Sequence, residues 1–140
     1  MDLGKAKTAE GLNELSEGTL VRHLGINVSK VGPALASGEL AIRPEHLAPN
    51  AYLHAGTVIA LADTIAGYGC LANLPDGAHS FTTIELKSNF LGTAREGILR
   101  ATATLRHGGR TTQVWDAEVS DGDGKAIATF RCTQLILWPT

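Results

Sequence analysis

From His54 to Leu74 the chain reads HAGTVIALADTIAGYGCLANL, an apolar run whose only formal charge is Asp63. Its length and unbroken hydrophobicity predict a buried helix over about residues 55–74, apolar nearly all round. About twenty apolar residues can also span a bilayer. This run, however, holds an aspartate, an asparagine, two threonines, a tyrosine and three glycines. It has no basic flank, and strand-like segments follow it, so a core helix is expected and no membrane partner. Ahead of it, Leu12, Leu15, Leu20 and Leu24 fall at loosely helical spacing, which predicts an N-terminal helix over about residues 8–23, with Thr8 or Asn13 available as caps. Gly25–Val31 reads as a strand, Gly32-Pro33 as a turn, and Leu35–Arg43 as a weaker strand with an irregularity at Gly38. Pro44–Leu53 is then the loop that feeds the central helix.

The second half of the chain alternates with a period of two. In Phe81–Leu91, Ile84, Leu86 and Phe90 oppose Thr83, Glu85, Lys87 and Asn89. In Ile98–Arg106, Ala101, Ala103 and Leu105 oppose Arg100, Thr102, Thr104 and Arg106. In Thr112–Val119, Trp115, Ala117 and Val119 oppose Val114, Asp116 and Glu118. Gly108-Gly109 and Asp121-Gly122-Asp123-Gly124 mark hairpins between these strands, and Ala126–Trp138 is the last strand. Four consecutive strands predict a meander. A sheet with one apolar face must cover that face, and the central helix is the only long apolar element present. The expected architecture is therefore α+β: a curved antiparallel sheet of about six strands wrapped around one long helix.

Composition narrows the partners. A chain of 140 residues fits one domain, residues 1–140. A formal net charge of −2 argues against nucleic acid. The opening MDLGKAKTAEG is polar and lacks the apolar run of a signal peptide. Cys70 and Cys132 sit in apolar segments, which favours buried free thiols in a reducing cytosol over a disulfide.

An unpaired buried carboxylate is expensive, so Asp63 has a partner, a raised pKa or a chemical role. Its helical neighbours Ile59, Ala60, Ala66, Gly67 and Cys70 are mostly small, which would leave room for another backbone or a ligand. The plain structural alternative is a paired residue, with a close Arg or Lys and no cavity. At the helix start, Asn50 to Thr57 end a loop and open the first turn. N–H groups there have no partner within the helix and carry partial positive charge, so they can hold a carbonyl oxygen as it becomes an oxyanion. Ala55 and Gly56 permit close approach. His54 can serve as a general base or can orient the loop through a backbone hydrogen bond. Ala55 and Asp63 are eight residues apart, roughly 12 Å along the axis with a rotation of about 80°. One carbonyl cannot touch both in one chain, whereas two antiparallel copies of the helix can bring them together. If both serve one reaction, the protein is at least a dimer with composite sites.

His54-Ala55-Gly56 followed by Leu61-Ala62-Asp63-Thr64 resembles the HGG…(A)(D/E)T signature of hotdog-fold acyl-CoA thioesterases. The resemblance is to the branch of the phenylacetic-acid-degradation and 4-hydroxybenzoyl-CoA thioesterases that carries an acidic residue on the helix. It covers about residues 20–138, including the strand phrase from Phe81 to Leu91. It implies that Asp63 acts as nucleophile or general base and that the Ala55 N–H polarises the thioester carbonyl. It further implies sites shared between subunits of a homodimer, commonly paired into a homotetramer, and no cofactor or metal, coenzyme A being part of the substrate. Two positions depart from the pattern. The middle glycine is Ala55, and the Gln or Asn six residues before the histidine is Ala48, with Asn50 the candidate for that role.

A CoA thioester presents phosphates, for which Lys87, Arg95, Arg100, Arg106 and Arg110 are candidates. Thr82 and Thr83 are expected to face the site, and a compact or aromatic acyl group would lie near Tyr68, Ile59 and Cys70. The expected reaction is hydrolysis to a free acid and CoA. The rivals are a hotdog hydratase, which would need His54 and Asp63 closer than one helix allows, and a non-catalytic acyl-CoA binding protein.

Overall fold

The alternating strands of the second half become the centre of one sheet. The computed structural model describes Met1–Thr140. Strands β1 (Ile26–Gly32), β2 (Leu35–Ala41), β3 (Ser80–Phe90), β4 (Ile98–Gly108), β5 (Thr112–Ser120) and β6 (Ala126–Leu137) form a six-stranded antiparallel sheet. The helix α3 (Ala55–Ala72) lies against it. The inward residues of β4 and β5 are the expected ones: Ala101, Ala103, Trp115, Ala117 and Val119 are buried. They meet Val58, Leu61, Ala62, Ile65, Ala66 and Cys70 of α3 in a single core. Both cysteines are buried and free.

The strand order is β1-β2-β4-β5-β6-β3, which corrects the expected four-strand meander. Only β4, β5 and β6 follow one another. β3 lies at the far edge against β6, so the link 91–97 crosses the width of β5 and β6. Three interstrand spacings of about 4.8 Å make roughly 14 Å, and seven extended residues reach farther than that.

A register shift between Thr83 and Glu85 makes Ile84 a bulge in β3. Before it, Phe81 and Thr83 pair with Ile136 and Gln134, which are buried; after it, Leu86 and Phe90 pair with the buried Cys132 and Ala128. Thr83 therefore turns to the helix side, against the alternation read from the sequence, because one extra residue reverses strand parity. Ile84, Leu86, Phe90 and Leu91 remain 57%, 38%, 46% and 60% exposed, leaving an uncovered apolar margin on this edge.

The N-terminal segment is two helices rather than one, α1 (Ala9–Leu15) and α2 (Leu20–His23). Gly18 adopts φ 74° in the break between them, a value that suits glycine. Thr8 caps α1 by accepting from the Gly11 N–H at 3.0 Å. Asn13 has a different role from the cap expected of it. Its side chain donates to Val28 O at 3.0 Å and accepts from the Val28 N–H at 2.8 Å, closing part of the β1 edge.

Although α3 meets the length and hydropathy of a membrane span, the sheet wraps it and ten of its residues are buried. The expectation that it is buried all round needs correction. Ala55, Gly56, Ile59, Ala60, Asp63 and Thr64 form a strip that the chain leaves partly or fully open. Gly38 allows the opposite face to seat. A Cβ there would strike the Ile65 side chain and stand 2.7 Å from Asn27 O. Gly38→Ala is expected to destabilise the fold by about 1–3 kcal/mol, since overpacking a close-packed seam costs that much. A lowered urea midpoint with an unchanged slope would show it; an unchanged midpoint would contradict this packing.

Candidate active site

The start of α3 is held from behind by a histidine that sequence reading passed over. His46 is buried. Its Nδ1 accepts from the Arg43 N–H at 2.9 Å and its Nε2 donates to Leu24 O at 2.8 Å, which assigns the neutral Nε2–H tautomer. Its own carbonyl accepts from the His54 N–H at 3.0 Å and from Thr57 Oγ1 at 2.9 Å. Asn50 sits on the exposed loop, where Oδ1 accepts from the Tyr52 N–H at 3.1 Å and so shapes a turn.

His54 is the N-cap of α3. Its Nδ1 accepts from the Gly56 N–H at 2.7 Å, so that N–H is taken and is not free for an oxyanion. The Ala55 N–H has no acceptor within the chain. It is solvent-facing and carries the positive end of an unbroken 18-residue helix.

Asp63 stands two turns further on, in the seam between α3 and β3. Oδ1 is buried without a hydrogen-bond partner. None of the five ion pairs includes Asp63, so the Arg or Lys partner of the plain structural reading is absent. Burial pushes its carboxyl above the usual aspartate range; a hydrogen bond from the neighbouring Thr83 hydroxyl would oppose this. That hydroxyl's only proton, however, is donated to Gln134 Oε1 at 2.7 Å. The Cys132 thiol is pushed up to about 12, chiefly by burial and then by the nearby Asp63, so it stays protonated.

The small neighbours of Asp63 do not open a pocket within the chain. A Cβ on Gly67 would lie 2.9 Å from Cζ of Phe81, and Ala66 and Cys70 are core residues. Neither the cavity of about 670 Å³ nor that of about 460 Å³ is lined by Asp63. Tyr68 points elsewhere: its hydroxyl lies 2.6 Å from Ser16 Oγ. Thr82 is exposed on β3, and Thr83 alone of the two faces α3.

The candidate cations do not converge. The Arg95 guanidinium stacks 4.4 Å from the Tyr52 ring, near the start of α3. Arg110 stacks 4.3 Å from the Trp138 ring and, with Asn73 at the helix end, lines a separate cavity. An 18-residue helix, about 27 Å long, separates those two positions. Arg100 pairs with Glu39 at 3.2 Å and Arg106 with Asp116 at 3.5 Å. Lys87 lines a groove of about 670 Å³ on the outer face of the sheet.

Gln134 also escaped sequence reading. Its parity with Cys132 and Ile136 on β6 places an amide among core residues, and that mismatch was the available signal.

A carboxyl whose pKa rises on folding holds its proton more tightly in the native state. Its contribution is most favourable below the unfolded pKa and is lost as pH rises through the folded one. Asp63→Asn, neutral and of the same shape, is therefore expected to raise Tm at neutral pH and to leave it nearly unchanged at about pH 3. Equal Tm values at both pH values would refute the burial cost assigned to Asp63.

The family described as Thioesterase superfamily matches residues 50–128, from Asn50 through α3 and into β6. The 1,4-dihydroxy-2-naphthoyl-CoA hydrolase of Escherichia coli is 31% identical over 133 residues, covering 93% of this chain and 95% of the relative. A thioesterase structure from Haemophilus influenzae superposes with a TM-score of 0.85 at 30% identity, over 93% of this chain and 90% of that one. The E. coli PaaI protein from the phenylacetic acid degradation operon gives 0.84 at 26% identity, over 98% and 96%. Fold, family match and whole-chain similarity agree: the chain belongs to the thioesterase superfamily, as a thioester hydrolase of hotdog fold.

Proposed function

We propose that this protein hydrolyses a coenzyme A thioester, with a compact or aromatic acyl group, at a site built by two copies of the chain. The observation that carries this reading is an unpaired, half-buried carboxyl eight residues from an exposed, unpartnered helix N–H on one rigid helix. Each is half of a hydrolytic site, and they stand too far apart to act on one carbonyl within a chain. The open strip of α3 and the uncovered apolar edge of β3 support a second copy there. The likeness to a hydrolase named for a naphthoyl-CoA supports an aromatic acyl group. Two buried free thiols fit a reducing cytosol.

In this mechanism the thioester carbonyl oxygen accepts from the Ala55 N–H of one protomer. Ionised Asp63 of the other takes a proton from water as the water oxygen bonds to the carbonyl carbon, giving a tetrahedral oxyanion. Collapse breaks the C–S bond, and the sulfur leaves with the proton that Asp63 held. Attack by Asp63 itself, through a mixed anhydride that water then cleaves, gives the same products. His54 serves as the cap that aims the helix start. Asn50 and the guanidinium of Arg95 border the same end of α3, where the CoA arm can run.

Asp63→Asn is expected to lower kcat by about a thousandfold or more. Ala55→Pro removes the proposed donor with little harm to the helix, because proline suits the first helical position and His54 already has ψ 133°. It should lower kcat by about a hundredfold. Mixed after joint refolding, the two inactive variants should regain activity, since one site in each heterodimer pairs an intact Ala55 with an intact Asp63. No recovery would refute the shared site. Absence of turnover across acetyl-, medium-chain, long-chain and aromatic acyl-CoA thioesters would refute the hydrolytic reading itself.

A further inference from the structure

The surroundings of Asp63 contain one hydroxyl within reach, and its proton is already committed. Thr83 Oγ1 donates to Gln134 Oε1 at 2.7 Å, and Gln134 Nε2 donates to Cys132 Sγ at 3.3 Å. Gln134 and Cys132 are fully buried, on adjacent inward positions of β6. Water does not reach the Gln134–Cys132 end of this chain of bonds, while Thr83 is half-buried. A threonine hydroxyl has one proton and two lone pairs. With the proton fixed on Gln134, Thr83 presents only lone pairs to Asp63, while Asp63 Oδ1 goes without a partner.

We propose that Gln134 is a positioning residue that directs the Thr83 hydroxyl away from Asp63 and so denies the carboxylate a hydrogen bond. The consequence is chemical. A carboxylate solvated by a hydroxyl is a weaker base. Gln134 thereby keeps Asp63 basic without bringing a charge near it. The titratable group facing Asp63 from β6 is Cys132, which stays a thiol, with Glu85 of β3 acting on Cys132 from beyond it. No cation faces the carboxyl from the sheet or from α3.

This inference deepens the proposed role of Asp63, but its test does not depend on turnover. The Asp63 carboxyl is titrated by carbon-13 NMR, its resonance identified by its loss in Asp63→Asn. In Gln134→Met the freed Thr83 proton turns to Asp63, and the titration midpoint falls by about half a pH unit or more. Adding Thr83→Val to that variant returns the midpoint to near its original value. Thr83→Val alone moves it by less than a few tenths of a unit, and this measurement decides the matter if Gln134→Met does not fold. A clear rise of the midpoint in Thr83→Val alone overturns the proposal, since it would mean that Thr83 already donates to Asp63, as the reversed Gln134 amide would allow. A merely structural role for Gln134 would not give a shift that Thr83→Val reverses. The acid limb of kcat/KM should follow the midpoint. Full activity in Asp63→Asn would end the catalytic reading and leave this titration result standing.

Discussion

The structure turns on a carboxyl held in an apolar seam without a counterion. Every neighbour that could have neutralised Asp63 is instead neutral and close-packed. The Phe81 ring occupies the space above Gly67, and Cys132 stays a thiol. A salt bridge there would have been easier to bury, because an opposite charge favours the ionised form. It would also have lowered the basicity of the carboxyl. The fold carries a less stable seam and, in it, a carboxyl whose pKa burial raises.

The start of α3 depends on rigidity. The loop before α3 hangs on His46, whose ring and carbonyl together make four hydrogen bonds between Leu24, Arg43, His54 and Thr57. The His54 ring then claims the Gly56 N–H. Of the N–H groups that open the helix, Ala55 is left facing outward. Because α3 runs without a break from Ala55 past Asp63, it acts as a ruler that keeps the Ala55 N–H and the Asp63 carboxyl a fixed two turns apart. Neither half can relax toward the other, so a reaction that uses both needs a second helix.

Much of this could be read from the residues themselves. The alternation in β4 and β5 named their buried faces, because hairpin-linked strands keep a period of two. Asp63 stood out as the only charge in an apolar run, and the helix-end argument pointed to Ala55 and Gly56 together. What the sequence hid depends on distant partners. The place of β3 follows from a crossover, and local alternation is silent about which strand lies beside which. One bulge at Ile84 reversed the side that Thr83 faces. The split between α1 and α2 rests on a single positive φ at Gly18. Arginines with long flexible arms went to Tyr52 and Trp138, rings far away in sequence. Gln134 was not singled out, because the partner that satisfies it, Thr83, sits on another strand.

The two rims of the sheet are unlike. At β1, the amide of Asn13 occupies both backbone groups of Val28, much as the next strand would. At β3, no element of the chain lies beyond the strand, and its apolar residues are bare. A sheet that can be extended at only one rim adds one neighbour and then stops, since joining two such rims leaves a blocked rim at either end. The asparagine thus occupies at Val28 the edge groups that a further strand would need.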